Sequence, residues 1–122
     1  MASILLVDDD DTLRNIICTV LNSMGHETLQ AKDGKNAIAL SEANNVDLVI
    51  TDIVMPEKDG LELVTYFKKK EPPIKIIAMS GGGTLGCSSY LGIAKAMGAS
   101  LTLSKPFRAE ELKVAVKNTL HH

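Results

Sequence analysis

ILLVDDDDTLRNIICTVLNSMG, residues Ile4 to Gly25, holds the two patterns from which the fold follows. Ile4 to Val7 is a short apolar run with no polar break, the signature of a strand buried on both faces of a parallel sheet. Four aspartates, Asp8 to Asp11, close it. Leu13, Ile16, Ile17, Val20, Leu21 and Met24 then recur at i, i+3, i+4, i+7, i+8 and i+11, the period of an amphipathic helix with those six residues inward. Gly25 ends the helix in the C-cap role.

The same alternation continues along the chain. Glu27 to Ala31 reads as a second strand. Asp33-Gly34 opens a helix through Ala37, Ile38 and Ser41 that ends near Asn44-Asn45. Val46 to Ile53 is a third strand, interrupted by Asp47 and closed by Asp52. Asp59-Gly60 opens a helix with Leu63, Val64 and Phe67 inward, and Pro72-Pro73 ends it. Ile74 to Met79 is a fourth strand, followed by Ser80 and the glycines Gly81-Gly82-Gly83. A helix from about Ser88 to Met97 stops at Gly98. Leu101 to Leu103 is a short fifth strand, and Glu110 to Leu120 a last helix with Leu112, Val116 and Leu120 on one face. Five βα units in series predict an α/β fold, a five-stranded parallel sheet with helices on both faces, (βα)5, flavodoxin-like and doubly wound. Residues 1–122 read as a single domain. The terminal His121-His122 pair resembles the start of an expression tag and carries no functional reading.

Composition narrows the function classes. At 122 residues the chain is long enough to bury its own core. Hydrophobic residues at 45% and charged residues at 23% exclude intrinsic disorder. A net charge of -2 gives no attraction for nucleic-acid backbones or anionic membranes. With two Tyr, two Phe and no Trp, base-stacking platforms are not expected. Cys18 and Cys87 make no CxxC pair and no metal-ligand spacing. No signal peptide or membrane span fits the N-terminus. The expected compartment is the reducing cytoplasm, with both thiols free.

In a parallel sheet, ligands bind beyond the carboxyl ends of the strands. There the topology gathers Asp8 and Asp9 from the first strand, Asp52 from the third, Ser80 from the fourth and Lys105 from the fifth. Three crowded carboxylates repel unless a cation or protons intervene. Mg²⁺ suits them, because it takes oxygen ligands and is often held by one or two carboxylates plus a phosphate. Lys105 adds a mobile point charge for a phosphoryl oxygen, and Ser80 a hydroxyl. A nucleophilic carboxylate, a metal, a cation and a hydroxyl together suit phosphoryl transfer to an aspartate. Asp10 and Asp11 read more simply as helix-capping and dipole-facing acids. Gly81-Gly82-Gly83 lacks the Walker pattern and reads as a flexible loop. His26 reads as structural, and Met79 and Met97 as core fillers.

ILLVDDD at Ile4 to Asp10, LVITDIVMPEKDGLEL at Leu48 to Leu63, IIAMSGG at Ile76 to Gly82 and LSKPF at Leu103 to Phe107 resemble the receiver domain of bacterial two-component response regulators, the CheY-like family. The likeness spans essentially the whole chain. It implies that Asp52 is the phospho-acceptor and that Asp8 and Asp9 hold Mg²⁺, Asp9 more directly, with Asp52 and the Val54 backbone carbonyl as further ligands. It implies that the Ser80 hydroxyl moves toward the phosphoryl group. Lys105 then contacts a phosphoryl oxygen, next to a Lys105-Pro106 bond that the family usually holds cis. Three departures stand out. Thr102 occupies the family's switch-aromatic position. The span from Ser80 to Lys105 is a few residues longer than usual. Arg108 stands where a capping Asp usually begins the last helix.

The resemblance implies two-component phosphorelay signalling. The receiver would accept a phosphoryl group from a sensor histidine kinase or a phosphotransfer protein and switch interactions with an unknown downstream protein target. It is read as a phospho-accepting signalling module, not an enzyme, that catalyses only its own phosphorylation and dephosphorylation. The given sequence reads either as a stand-alone regulator or as a receiver cut from a longer protein; no direct nucleic-acid binding and no membrane insertion are expected of it. With Thr102 small, the phosphorylation-dependent change is expected between Ser80 and Tyr90. The alternative is an aspartyl-phosphate phosphatase, but such enzymes generally need an acid/base Asp two residues after the nucleophile, where this chain has Val54. A flavin-binding flavodoxin-like protein would need a hydroxyl-rich phosphate loop where this chain has four aspartates.

Overall fold

The computed structural model describes residues 2–53, 60–81, 92, 95 and 98–121. Its strands are β1 (Ser3–Val7), β2 (Glu27–Ala31), β3 (Leu48–Asp52), β4 (Lys75–Gly81) and β5 (Leu101–Lys105). They form one sheet in the order β2-β1-β3-β4-β5, every neighbouring pair parallel. The helices are α1 (Asp11–Ser23), α2 (Gly34–Ala43), α3 (Gly60–Lys68) and α4 (Ala109–Leu120). The expected helix near Ser88 to Met97 falls outside the described residues, apart from Gly92 and Lys95, which are helical.

The continuous apolar strands make sense once both faces are covered. Successive side chains of a strand point to opposite faces. Leu5, Val7, Val49, Ile76 and Ala78 therefore face one core, closed by Ala37 of α2 and Leu63, Val64 and Phe67 of α3. Ile4, Leu6, Ile50, Ile77 and Met79 face the other, closed by Ile17 and Leu21 of α1 and Leu112 and Val116 of α4. All of these residues are essentially inaccessible to solvent.

The structure corrects the inward face expected for α1. Ile17 and Leu21 are buried and Leu13, Val20 and Met24 pack at the edge, but Ile16 is 56% exposed. One residue is about 100° of helix rotation. Ile16 therefore lies a quarter turn from Ile17 and clears both the sheet and α4. Strand bounds also shift. β3 starts at Leu48 because the Asp47 carboxylate is taken up as an acceptor for the Ser3 N–H at 2.8 Å. β4 and β5 run on to Gly81 and Lys105, which pair with each other.

The caps follow the sequence. Asp10 accepts from the Leu13 N–H at 3.1 Å and Asp33 from the Asn36 N–H at 2.8 Å. Arg108 precedes α4 without a side-chain cap, as expected of a guanidinium, but the Glu111 carboxylate accepts the Arg108 N–H at 3.0 Å. The last helical turn of α1 gives way to Gly25 at φ 88°, a left-handed conformation that favours glycine. His26 is structural, its Nδ1 accepting from the Ala2 N–H at 3.0 Å. Burial and the nearby N-terminus hold its pKa below the ordinary value.

Candidate functional site

Register brings the strand ends together. Val7 lies level with Ala31 and Thr51, Asp52 with Met79, and Gly81 with Lys105. The chain reverses winding direction between β1 and β3, since β2 lies on one side of β1 and β3 on the other. That is the switch point at which an open α/β sheet leaves a crevice. Asp8 and Asp9 leave the end of β1 there, Asp52 ends β3, Ser80 lies one residue beyond the partner of Asp52, and Lys105 ends β5.

Asp8 is fully buried and every polar atom it has is engaged. Its N–H donates to the Ala31 carbonyl at 3.1 Å. Its Oδ1 accepts from the Asp10 N–H at 2.9 Å and its Oδ2 from Lys105 Nζ at 2.6 Å. Its carbonyl accepts from Arg14 Nη1 at 2.6 Å. Asp52, 6% exposed, accepts from the same Lys105 ammonium at 3.3 Å. Lys105 is thus pinned between two carboxylates rather than mobile, with 17% of its side chain exposed. Burial alone would lower its pKa, but the hydrogen bond to Asp8 and the fields of Asp52 and Asp8 outweigh that and hold it above the ordinary lysine value.

Asp9 is different. It is exposed, and among the described residues nothing hydrogen-bonds or ion-pairs with its carboxylate. One carboxylate oxygen each from Asp8, Asp9 and Asp52 lies within 4.8 Å of the others. Among the described residues, three carboxylates here lie beside the Lys105 ammonium, which leaves an excess of negative charge near the Asp9 carboxylate. That donor set fits a divalent cation such as Mg²⁺. Ser80 is buried at 1% exposure beside the cluster. The Val54 carbonyl expected to complete the ligand set lies outside the described residues, as do Gly82, Gly83, Cys87, Met97 and most of the Ser80 to Tyr90 stretch. Thr102 lies on β5 opposite Ala78, half-buried. The Lys105-Pro106 bond is cis.

The residue that sequence reasoning missed is Arg14. It touches Asp8, Asp11 and Gln30 at the rim of the cluster. A signal was available: a cation in the first turns of a helix opposes the helix dipole, so an arginine three residues after a run of four aspartates calls for a specific partner.

The chain is similar to known proteins over nearly its whole length. The family model described as the response regulator receiver domain matches residues 4–117. The chain is 35% identical over 120 residues to the DNA-binding transcriptional regulator NtrC of Azospirillum brasilense, covering 98% of this chain and 24% of that protein. It is 33% identical over 117 residues to sporulation initiation phosphotransferase F of Bacillus subtilis (strain 168), covering 96% of this chain and 92% of that protein. Among solved structures, the receiver domain of NtrX from Brucella abortus superposes with a TM-score of 0.88 at 32% identity, covering 97% of this chain and 98% of that one. In these relatives the matched region makes up nearly a whole protein in one case and a quarter of a longer one in another. Among the described residues, no helix is long and apolar enough to cross a membrane.

Proposed function

The chain belongs to the response regulator receiver family, whose members act in two-component phosphorelay signalling, and on that premise we propose that it accepts a phosphoryl group on the Asp52 carboxylate. The observation that carries this reading is the convergence of Asp8, Asp9 and Asp52, with the Lys105 ammonium bonded to Asp8 and Asp52, at the switch point of the sheet. The donor is a phosphohistidine on a sensor histidine kinase or phosphotransfer protein. An Asp52 Oδ forms the new O–P bond as the P–N bond to the donor imidazole breaks. The departing imidazole keeps the bonding electrons and takes up a proton.

The chain's own residues divide the work. Lys105, already within reach of Asp52, moves its charge onto a phosphoryl oxygen. Ser80 supplies a hydroxyl at the neighbouring strand end. Asp9 and Asp8, with Asp52 and the Val54 carbonyl, would hold Mg²⁺, which when bound supplies positive charge against the phosphoryl oxygens. Catalysis in such transfer rests on positioning and charge neutralisation, which this set provides. Residues 1–122 act as one receiver module in the cytoplasm, and its phosphorylated form changes the surface offered to a downstream protein target. Its chemistry is confined to gaining and losing its own phosphoryl group, in contrast to an aspartyl-phosphate phosphatase, whose acid/base position is Val54 here.

The test is intact-mass spectrometry after incubation with acetyl phosphate. With Mg²⁺, a single phosphoryl increment accumulates. Without Mg²⁺, or with Asp52→Asn, it does not. Stoichiometric phosphorylation of the Asn variant, or rapid turnover of the donor with no phosphoprotein, would overturn the reading.

A further inference from the structure

We propose that Arg14 is a positioning residue of this site: its guanidinium braces the turn at residues 8–11 so that Asp9 faces Asp52, its carboxylate without a partner among the described residues. The proposal rests on the reading of Asp8, Asp9 and Asp52 as the metal-holding, phospho-accepting cluster.

Three nitrogens of one guanidinium reach three separate elements. Nη1 donates to the Asp8 carbonyl at 2.6 Å, just past the end of β1. Nη2 donates to the Asp11 carboxylate at 2.5 Å, in the first turn of α1. Nε donates to Gln30 Oε1 at 3.2 Å, on β2. The Arg14 side chain is only 13% exposed, so this is not a loosely solvated surface cation.

The geometry explains a difficulty in the turn. β1 leaves its ladder at Val7, and the Asp8 N–H still bonds to Ala31 on β2. The Asp8 carbonyl belongs to a fully buried residue and needs a partner beyond the strand ladder. Arg14 supplies that partner from one turn into α1. Asp8 is thereby fixed at its backbone as well as at its carboxylate, and the direction in which Asp9 leaves it is set. The charge of Arg14 is taken up by Asp11, which keeps the guanidinium from capturing Asp9. Only a planar fork can serve the three directions together; a lysine ammonium supplies the charge at a single point. Groups that orient metal ligands in this way typically alter metal affinity about ten- to a hundredfold when lost.

The experiment measures the Mg²⁺ affinity of the metal-free protein by isothermal titration calorimetry, with thermal unfolding and acetyl phosphate labelling on the same samples. Arg14→Lys keeps the charge and loses the fork. Gln30→Ala removes one anchor and leaves Arg14 in place. Val116→Ala, a core truncation in α4, is the control for general softening. The expected result is Mg²⁺ binding about tenfold weaker in Arg14→Lys, a smaller loss in Gln30→Ala, and wild-type affinity in Val116→Ala. At saturating Mg²⁺, Arg14→Lys still labels at Asp52. Wild-type affinity in Arg14→Lys, or an equal loss in Val116→Ala, overturns the proposal. If the wild-type protein itself takes no phosphoryl group, the underlying reading fails instead, and the affinity series still reports on the brace.

Discussion

Replacing Lys105 by methionine removes the ammonium that bonds both Asp8 and Asp52, while keeping the length and apolar stem of the side chain. The ammonium lies 2.6 Å from Asp8 and 3.3 Å from Asp52, whose side chains are 1% and 8% exposed. At an effective dielectric constant near 20, one such pair attracts by about 5 kcal/mol. Breaking a wholly buried pair by deleting one partner costs about 3–5 kcal/mol. Lys105 retains some solvent access and Asp9 stays wet, so water can partly replace it. The expected loss is about 2–3 kcal/mol at neutral pH, equivalent to a fall in Tm of about 10 °C for a chain of this size. Far-ultraviolet circular dichroism against temperature reads it directly. Adding Mg²⁺ should recover part of the loss in the variant, because the cation takes over neutralisation. Because the folded-state pKa of Lys105 is raised, its stabilisation is complete below the ordinary lysine value of about 10.4. It fades as pH rises through the higher folded value. The gap between wild type and variant should therefore be constant from neutral pH to about pH 10 and narrow above it. An unchanged Tm for Lys105→Met at neutral pH would refute the claim that this ammonium holds the cluster together.

Asp9→Ala should abolish the Mg²⁺ requirement for labelling together with most labelling, while leaving the metal-free protein at least as stable, since it removes one of three mutually repelling carboxylates; titration calorimetry and Tm check both. Asp33→Ala removes the cap that receives the Asn36 N–H and should cost about 1 kcal/mol in urea unfolding with no change in labelling. Phe67→Ala, in the core between α3 and the sheet, should cost about 3–5 kcal/mol in the same assay.

The parts of this molecule that depend on local pattern are legible in the sequence. The apolar runs of β1, β3 and β4 announce buried parallel strands because both of their faces are covered. Asp10 and Asp33 announce helix starts because their short acceptors suit no other position so well. The cluster itself follows from topology alone: parallel strands end at one edge, so aspartates at two strand ends and a lysine at a third must meet. What is not legible depends on distance in the chain. Lys105 bonds to Asp8 across 97 positions, and nothing local distinguishes a pinned lysine from a mobile one. Arg14 reaches Gln30 on another strand. Ile16 fits the helical period as well as Ile17 does, and only the placement of α1 against the sheet and α4 separates them. Arg108 reads as a poor cap, and the compensation comes from Glu111 three residues on.

The most direct test of the central claim is the identity of the phosphorylated residue. Asp8, Asp9 and Asp52 present oxygens within 4.8 Å of one another, so labelling of the intact chain does not distinguish them. Borohydride reduces an aspartyl phosphate to homoserine, which peptide mass spectrometry locates after labelling with acetyl phosphate and Mg²⁺. The account predicts homoserine in place of Asp52 alone. Homoserine in place of Asp8 or Asp9, or a phosphoryl group carried on Ser80, would contradict it.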